Sequence, residues 1–425
     1  MKTRLRFLAF ALWACILMAV LAGCVSQQGQ APDPAAGTGP DTPAASAADP
    51  APGTGGTANG PDERPGQPAQ GDTGTPGTAP PRSDNGAASP AVRADQVTAV
   101  RLAAPKSGWT GGEGWIARTD DGGKTWTSQY SGAGTVSQLF ALNGQEAWAV
   151  VTDGSGKGTK RTLLSTTDGG KQWTEAGTVP SDGFLHFVSK TEAFSANAVT
   201  KDGGKTWNEL HVPDQTTGDA YFHDERNGWA VAQVKDTISV LRTTDGGQSW
   251  QSVMSRKTVA PLNGALIRSA GADDAWVECI GDSGMSQTSY SLFHTADGGK
   301  SWQTVIANST AGGGPAPGFP IDHSSGPENT GSKPGALYVV DPKTAYMGGQ
   351  CPACDKPNTI GWTTDGGKTW TNGETQLEGY GNQLLAIADA THGWWIISDS
   401  AGPSVMYTTA DGGKSWSKVH TFQAL

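Results

Sequence analysis

Thr119-Asp120-Asp121-Gly122-Gly123-Lys124-Thr125-Trp126 is an eight-residue stretch that returns six more times, ending at Trp173, Trp207, Trp250, Trp302, Trp370 and Trp416. The shared frame is Thr-x-Asp-Gly-Gly-(Lys/Gln)-(Thr/Ser)-Trp, and its chemistry is that of a tight turn. The aspartates (Asp121, Asp168, Asp202, Asp245, Asp297, Asp365 and Asp411) accept hydrogen bonds from the turn's own amides, and the glycine pair supplies positive φ where the chain reverses. The Thr or Ser hydroxyl adds a second local bond, and the Trp anchors the outgoing strand on its apolar side. Gln172 takes the hydroxyl position in the second copy, so that bond is dispensable.

The octet resembles the Asp-box, also called the bacterial neuraminidase repeat, and seven copies in register are beyond chance. Carboxylates recurring at every repeat read as self-satisfied turns rather than as metal ligands or catalytic acids. No metal and no cofactor is therefore assigned to them. The Gly-Lys-Thr/Ser inside the octets is not a phosphate-binding loop. Such a loop needs a Gly five residues earlier, and that position holds Arg118, Val199, His294, Trp362 and Thr408.

From about residue 96 each octet is preceded by the same grammar: an alternating apolar strand, a tight turn, a strand opening on an aromatic, a variable loop, and a strand running into the octet. In the second repeat these strands fall at 136–142, 148–151 and 163–166, with a fourth after Trp173. The opening aromatics are Trp109, Trp148, Phe194, Trp229, Trp276, Tyr346 and Trp394; with the octet tryptophans they account for twelve of the sixteen Trp. Trp115, Trp362 and Trp395 remain in the mature chain as loose candidates for a ligand platform. Successive octet aspartates stand 47, 34, 43, 52, 68 and 46 residues apart, near the length of a four-stranded sheet that buries both faces only by stacking on its neighbours. The expected fold is all-β, a seven-bladed β-propeller with four antiparallel strands per blade over 93–425, closed without an exchanged strand.

The chain has 425 residues with a formal charge of −10. Lys2, Arg4 and Arg6, an apolar run over 7–22, and Leu21-Ala22-Gly23-Cys24 read as a secretory leader over 1–23. Its last four residues resemble the lipobox of bacterial lipoproteins, which implies a lipid anchor on Cys24 and an extracytoplasmic protein held at the cell membrane. Loss of the three leader cations takes the charge to about −13, which disfavours nucleic acid. Between Val25 and Val92 there is no aromatic, Ile, Leu or Met. A stretch so poor in core-forming side chains is expected to be a disordered linker, completing 24–92.

Strand parity places the octets and the first-to-second-strand turns at one end of the sheets. Variable loops gather at the other, above all the insertion over 308–333. Loops on a rigid scaffold are where binding usually resides, so candidates for the binding face are Glu278, Asp282, Asp322, Asp399 and Trp395. Glu278 stands two residues after its opening aromatic, where the other repeats have Gly111, Val150, Ala196, Val231, Gly348 and Ile396. A disulfide is expected outside the cytoplasm. Cys351 with Cys354 is the first choice and Cys279 with either of them the second.

Residues 96–422 also resemble the photosystem II stability and assembly factor family, through phrases such as Asn227-Gly228-Trp229-Ala230-Val231 followed by Leu241-Arg242-Thr243-Thr244-Asp245-Gly246-Gly247. The resemblance implies a non-enzymatic protein that helps membrane complexes assemble, with a protein partner or membrane complex at the envelope. The linker and the 308–333 insertion depart from that family's compact pattern. The enzymatic alternative is a sialidase-like or glucan-active glycoside hydrolase, acting on a glycan. It needs two carboxylates on the loop-rich face, and neither an Arg-Ile-Pro motif nor a spaced arginine triad supports it. A surface adhesin or sensing module is the third reading.

Overall fold

The computed structural model describes residues 95–423 apart from 155, 157, 324, 325, 400 and 401. The leader, Cys24 and the linker lie outside the described residues. Alternation of β-branched and aromatic residues with polar ones gives twenty-six strands among them, each hydrogen-bonded to its sequence neighbours within one of six sheets. The first sheet holds β1 (Ala99–Ala104), β2 (Ser107–Thr119), β3 (Thr127–Ala141), β4 (Ala147–Asp153), β5 (Lys160–Thr166) and β6 (Thr174–Thr178). The second holds β7 (Leu185–Phe187), β8 (Ala193–Ser195), β9 (Ala198–Thr200) and β10 (Asn208–Glu209), and the third β11 (Tyr221–Phe222), β12 (Gly228–Val234), β13 (Thr237–Thr243) and β14 (Gln251–Lys257). The fourth holds β15 (Gly264–Arg268), β16 (Ala275–Ser283), β17 (Thr288–Thr295) and β18 (Gln303–Asn308). The fifth is β19 (Lys333–Val339), β20 (Ala345–Gln350), β21 (Asn358–Thr363) and β22 (Thr371–Asn372); the sixth is β23 (Gln383–Ile387), β24 (Gly393–Ile397), β25 (Val405–Thr409) and β26 (Ser417–Thr421).

The molecule is thus an all-β propeller whose blades are four-stranded apart from the six-stranded first, and it has six blades and not the seven expected from the octets. The first two repeats share one six-stranded sheet, because β2 and β3 run on for 13 and 15 residues where a break was anticipated. Glu113 pairs with Thr135 and joins the two halves. Gly114 and Gly134, at φ 75° and 86°, sit beside register shifts in these strands and act as bulges rather than as turns.

Closure needs no exchanged strand, since every sheet is built from consecutive strands. The two ends of the domain meet through polar and apolar contacts. Ser398 Oγ donates to the Val97 carbonyl at 2.6 Å, Val97 N–H donates to Ser404 Oγ at 3.0 Å, and Ser404 N–H donates to the Asp95 carbonyl at 2.8 Å. Val97, Trp115, Trp394 and Phe422 pack in one buried cluster across the seam.

Each octet is a closed hydrogen-bond unit. The leading Thr hydroxyl donates to Asp Oδ1 at 2.7–2.9 Å in all seven and accepts the second glycine's N–H at 2.8–3.0 Å. In six octets the later Thr or Ser hydroxyl donates to Asp Oδ2 at 2.5–2.7 Å; at Gln172 only the backbone N–H reaches Asp168. Both glycines lie at φ 75–96° in every copy. The first glycine's N–H donates to the turn between the first two strands of its own repeat, for example Gly122 to Lys106, Gly298 to Asp273 and Gly412 to Thr391. This fastens the octets and those turns together at one end of the propeller. The hydroxyl bonds first, with the backbone bonds, hold the carboxyls of Asp202, Asp245, Asp297 and Asp411 at about 2.

Candidate functional site

Seven cross-strand pairs set the inner wall of the propeller. The opening aromatic of each second strand stands opposite a residue eight positions earlier on the first: Arg101 with Trp109, Phe140 with Trp148, His186 with Phe194 and Tyr221 with Trp229. Arg268 with Trp276, Tyr338 with Tyr346 and Ala386 with Trp394 complete the series. Five of these first-strand residues, Arg101, Phe140, His186, Tyr221 and Arg268, line one cavity although they come from five repeats, so this one register position forms a girdle around a central channel. Two of its members are guanidiniums, one is an imidazole, and none is a carboxylate.

The girdle separates two cavities. On the loop side a cavity of about 640 Å³ is bounded by the fourth-to-first-strand links, which supply Asp182 and Asp219, and by the loop after β4, which supplies Gly154 and Thr159. On the octet side lies one of about 420 Å³, bordered by Val188, His223, Ser269 and Val339. Phe184, His186, Tyr221 and Arg268 face both. His186 stacks on Tyr221 with centroids 4.7 Å apart and planes 4° from parallel, while the Arg268 guanidinium lies 3.7 Å above the Phe184 ring. Arg101 lies over Phe140 at 4.5 Å. Aromatic faces attract cations in this way, yet they leave the N–H edges of the guanidinium without an acid.

The electrostatics follow from burial. None of the ion pairs among the described residues involves Arg101 or Arg268, and the Arg268 side chain donates to the Ile267 carbonyl at 2.8 Å. Burial lowers Arg268 to about 10, which leaves it charged at neutral pH. Burial first, then the positive charge of His223, Arg268 and Arg101, pushes His186 down to about 3. It is therefore a neutral imidazole. The Phe222 backbone lies near its ring, but no hydrogen bond of normal geometry reaches either ring nitrogen, although the residue is only 7% exposed. On the loop side, desolvation and then the charge of Asp182 raise Asp219.

Comparison with known proteins reaches the fold and a weak homology. The family model described as sortilin, neurotensin receptor 3 (Sortilin-Vps10) matches residues 195–311, less than half of the chain. The photosystem II stability/assembly factor HCF136, chloroplastic, of Arabidopsis thaliana is 25% identical over 119 residues, covering 25% of this chain and 29% of that relative. The match thus spans under a third of the relative's length. Among solved structures, YCF48 bound to D1 peptide is 15% identical with a TM-score of 0.42 and covers 76% of this chain and 92% of that one. A GH74 xyloglucanase from Xanthomonas campestris is 13% identical with a TM-score of 0.46, covering 78% and 55%.

The residues singled out from sequence do not converge on one site. Glu278 is 3% exposed, inside the fourth sheet between Leu266 and Leu292. Asp282 is exposed beside a small cleft at Gly312 and Gly313, and Asp322 is exposed on the insertion. Asp399 is half-buried near the seam, where its carbonyl accepts the Gln96 amide at 2.9 Å. Trp395 is 1% exposed and packs edge-on against Trp416 at 5.4 Å, so it offers no ring to a ligand. Trp115 and Trp362, at 1% and 9%, are likewise core. A disulfide joins Cys351 and Cys354 with Cα atoms 5.4 Å apart, and Cys279 is a buried thiol. The 308–333 insertion is folded onto its sheet rather than loose: Ser289 and Ser291 hydroxyls donate to the Gly313 and Pro317 carbonyls at 2.7 Å, and Asn329 is 3% exposed.

Sequence reasoning missed Arg101, Phe184, His186, Tyr221, Arg268, Asp182 and Asp219. The constant spacing of eight residues to the opening aromatic was the available signal for the girdle. No comparable signal marks Asp182 or Asp219, which lie on links of unequal length.

Proposed function

We propose that the protein is a non-enzymatic scaffold, held outside the cytoplasm by a lipid on Cys24, whose loop rim binds a protein partner. The observation that carries this reading is the distribution of exposed large apolar side chains. Val259, Met285, Ile321 and Tyr380 on loops or links, and Val234 at the end of β12, all lie at the loop end, whereas Val188 is the one such residue at the octet end among the described residues. Met285 is fully exposed and Ile321 79% exposed. Isolated apolar residues are ordinary on a protein surface, but five at one rim mark an interaction face. The weak homology to an assembly factor supports the same reading. The octets, which bind their own aspartates, give the partner a stiff platform.

A photo-crosslinking amino acid placed at position 285 or 321 is expected to capture a membrane-fraction partner that the same group at position 188 does not. Equal labelling from both ends refutes the assignment of the rim. Deleting 308–333 is a poor alternative, because Asn308 and Asn329 bond to each other inside the fold. For the anchor, a labelled fatty acid is expected on the wild type and absent from Cys24→Ser; label on both removes the tether.

A glycoside hydrolase is the second reading, favoured by Asp182 and Asp219 in the loop-side cavity. Burial and then the charge of Asp182 raise the Asp219 carboxyl, and a glycoside hydrolase needs two carboxylates in one cleft. Turnover of any polysaccharide by the wild type, lost in Asp219→Asn, would replace the scaffold reading.

A further inference from the structure

The octet-side cavity has a composition that partner binding at the loop rim does not use. Arg101, His186, His223, Arg268 and Ser269 all line its 420 Å³, and no carboxylate does. The whole chain carries a formal charge of −10, so this local excess of cations runs against its surroundings. Two observations point independently to a ligand. Both His186 ring nitrogens, and Arg101 Nε, are buried and without a hydrogen-bond partner, a state that is costly unless something else satisfies them. Asp219 and Glu278 act on Arg268 only through space, neither being within ion-pair distance.

We propose that this cavity is a binding site for a small organic acid, its carboxylate held by Arg101 and Arg268 with His186 as a further hydrogen-bond partner. The planar guanidinium fork matches a carboxylate in two parallel bonds. Phe140, Phe187 and Val339 supply an apolar wall for the body of the ligand, and the volume is within the usual range for a small-molecule site. A bare phosphate fits less well, because half of the wall would face a fully hydrated ion across apolar surface. The site lies at the opposite end of the channel from the proposed partner face, so it stands whether or not that reading survives.

Calorimetric titration with phenylacetate, against phenylacetamide as its uncharged counterpart, tests the assignment. The acid is expected to bind at least about tenfold more tightly than the amide, the increment of one charge-assisted hydrogen bond. Arg101→Met and Arg268→Met, each checked for an unchanged circular dichroism spectrum, are expected to lose about tenfold or more in affinity for the acid, and His186→Phe a smaller factor. If Arg268→Met fails to fold, Arg101→Met decides alone. Equal affinity for acid and amide, no binding of either, or unchanged affinity in the folded arginine variants overturns the proposal.

Discussion

Replacing Glu278 with Gln is expected to make the protein more stable, and by an amount that depends on pH. The carboxyl is 3% exposed, with Leu266 and Leu292 as its cross-strand neighbours and no hydrogen bond to it among the described residues. Burial raises its pKa from 4.5 to about 8, and the charge of Arg268 offsets only part of that. Below pH 4.5 the group is protonated in both the folded and the unfolded chain and costs nothing through ionisation. As pH rises the unfolded chain releases a proton that the folded chain keeps, so stability falls by about 1.4 kcal/mol per unit until the folded group ionises near pH 8. At pH 7 the accumulated penalty is about 3 kcal/mol. Gln resembles the protonated acid in shape and cannot ionise. Urea denaturation of both proteins, followed by tryptophan fluorescence at pH 5, 7 and 8.5, should therefore give similar stabilities at pH 5 and a gap that widens with pH. A gap that stays constant, or a wild type equally stable at pH 5 and pH 8, refutes the reasoning.

The octet aspartates act with the opposite sign. Their carboxyls are lowered to about 2 in four copies, so the stability they contribute is present above the unfolded value of 3.8 and is lost as pH falls through about 2. Near-ultraviolet circular dichroism should show an acid transition in that window, and a protein still native at pH 1.5 would contradict it. Thr295→Val keeps the shape of a residue that is 2% exposed but removes the acceptor of the Gly299 N–H at 2.9 Å. The change should cost about 1–3 kcal/mol, measured by urea denaturation, because it leaves a buried donor unsatisfied. The Cys279 thiol, raised to about 12 by burial and then by Glu278, should resist a maleimide in the native protein and react once the protein is unfolded.

The parts of this fold that were legible in the sequence are those held by local bonds. An octet closes on itself through Thr, Asp and Gly within a few residues, so seven turns, their strands and the Trp anchors follow directly from the chain. Blade number is not local. A glycine inside a strand can interrupt it or serve as a bulge, and at Gly114 and Gly134 the pairing of Glu113 with Thr135 decides for the bulge. The candidate site divides in the same way. Comparing repeats along the second strand exposes Glu278, and the same comparison along the first strand yields Arg101, His186 and Arg268 only when their cross-strand partners are known. Trp395 illustrates the converse, since an unassigned aromatic in a repeat can as readily be a second layer of core as a platform for a ligand.

The girdle position itself argues that its cations are not there for stability. At the same register the other repeats place Phe140, Tyr221, Tyr338 and Ala386, which fill space without a charge to desolvate. Arg268 is half-buried and still protonated at neutral pH, and replacing a buried charge by an apolar side chain of similar size is often neutral or stabilising. Stacking on Phe184 returns only about 1–2 kcal/mol even in a desolvated setting, less than the several kcal/mol that an unpaired buried ion costs. Within one chain built from near-copies of the same unit, packing therefore has ready alternatives at this position and does not require arginine. What arginine provides that tyrosine does not is attraction for an anion in the channel, and the unpartnered nitrogens of His186 beside it have no other use among the described residues.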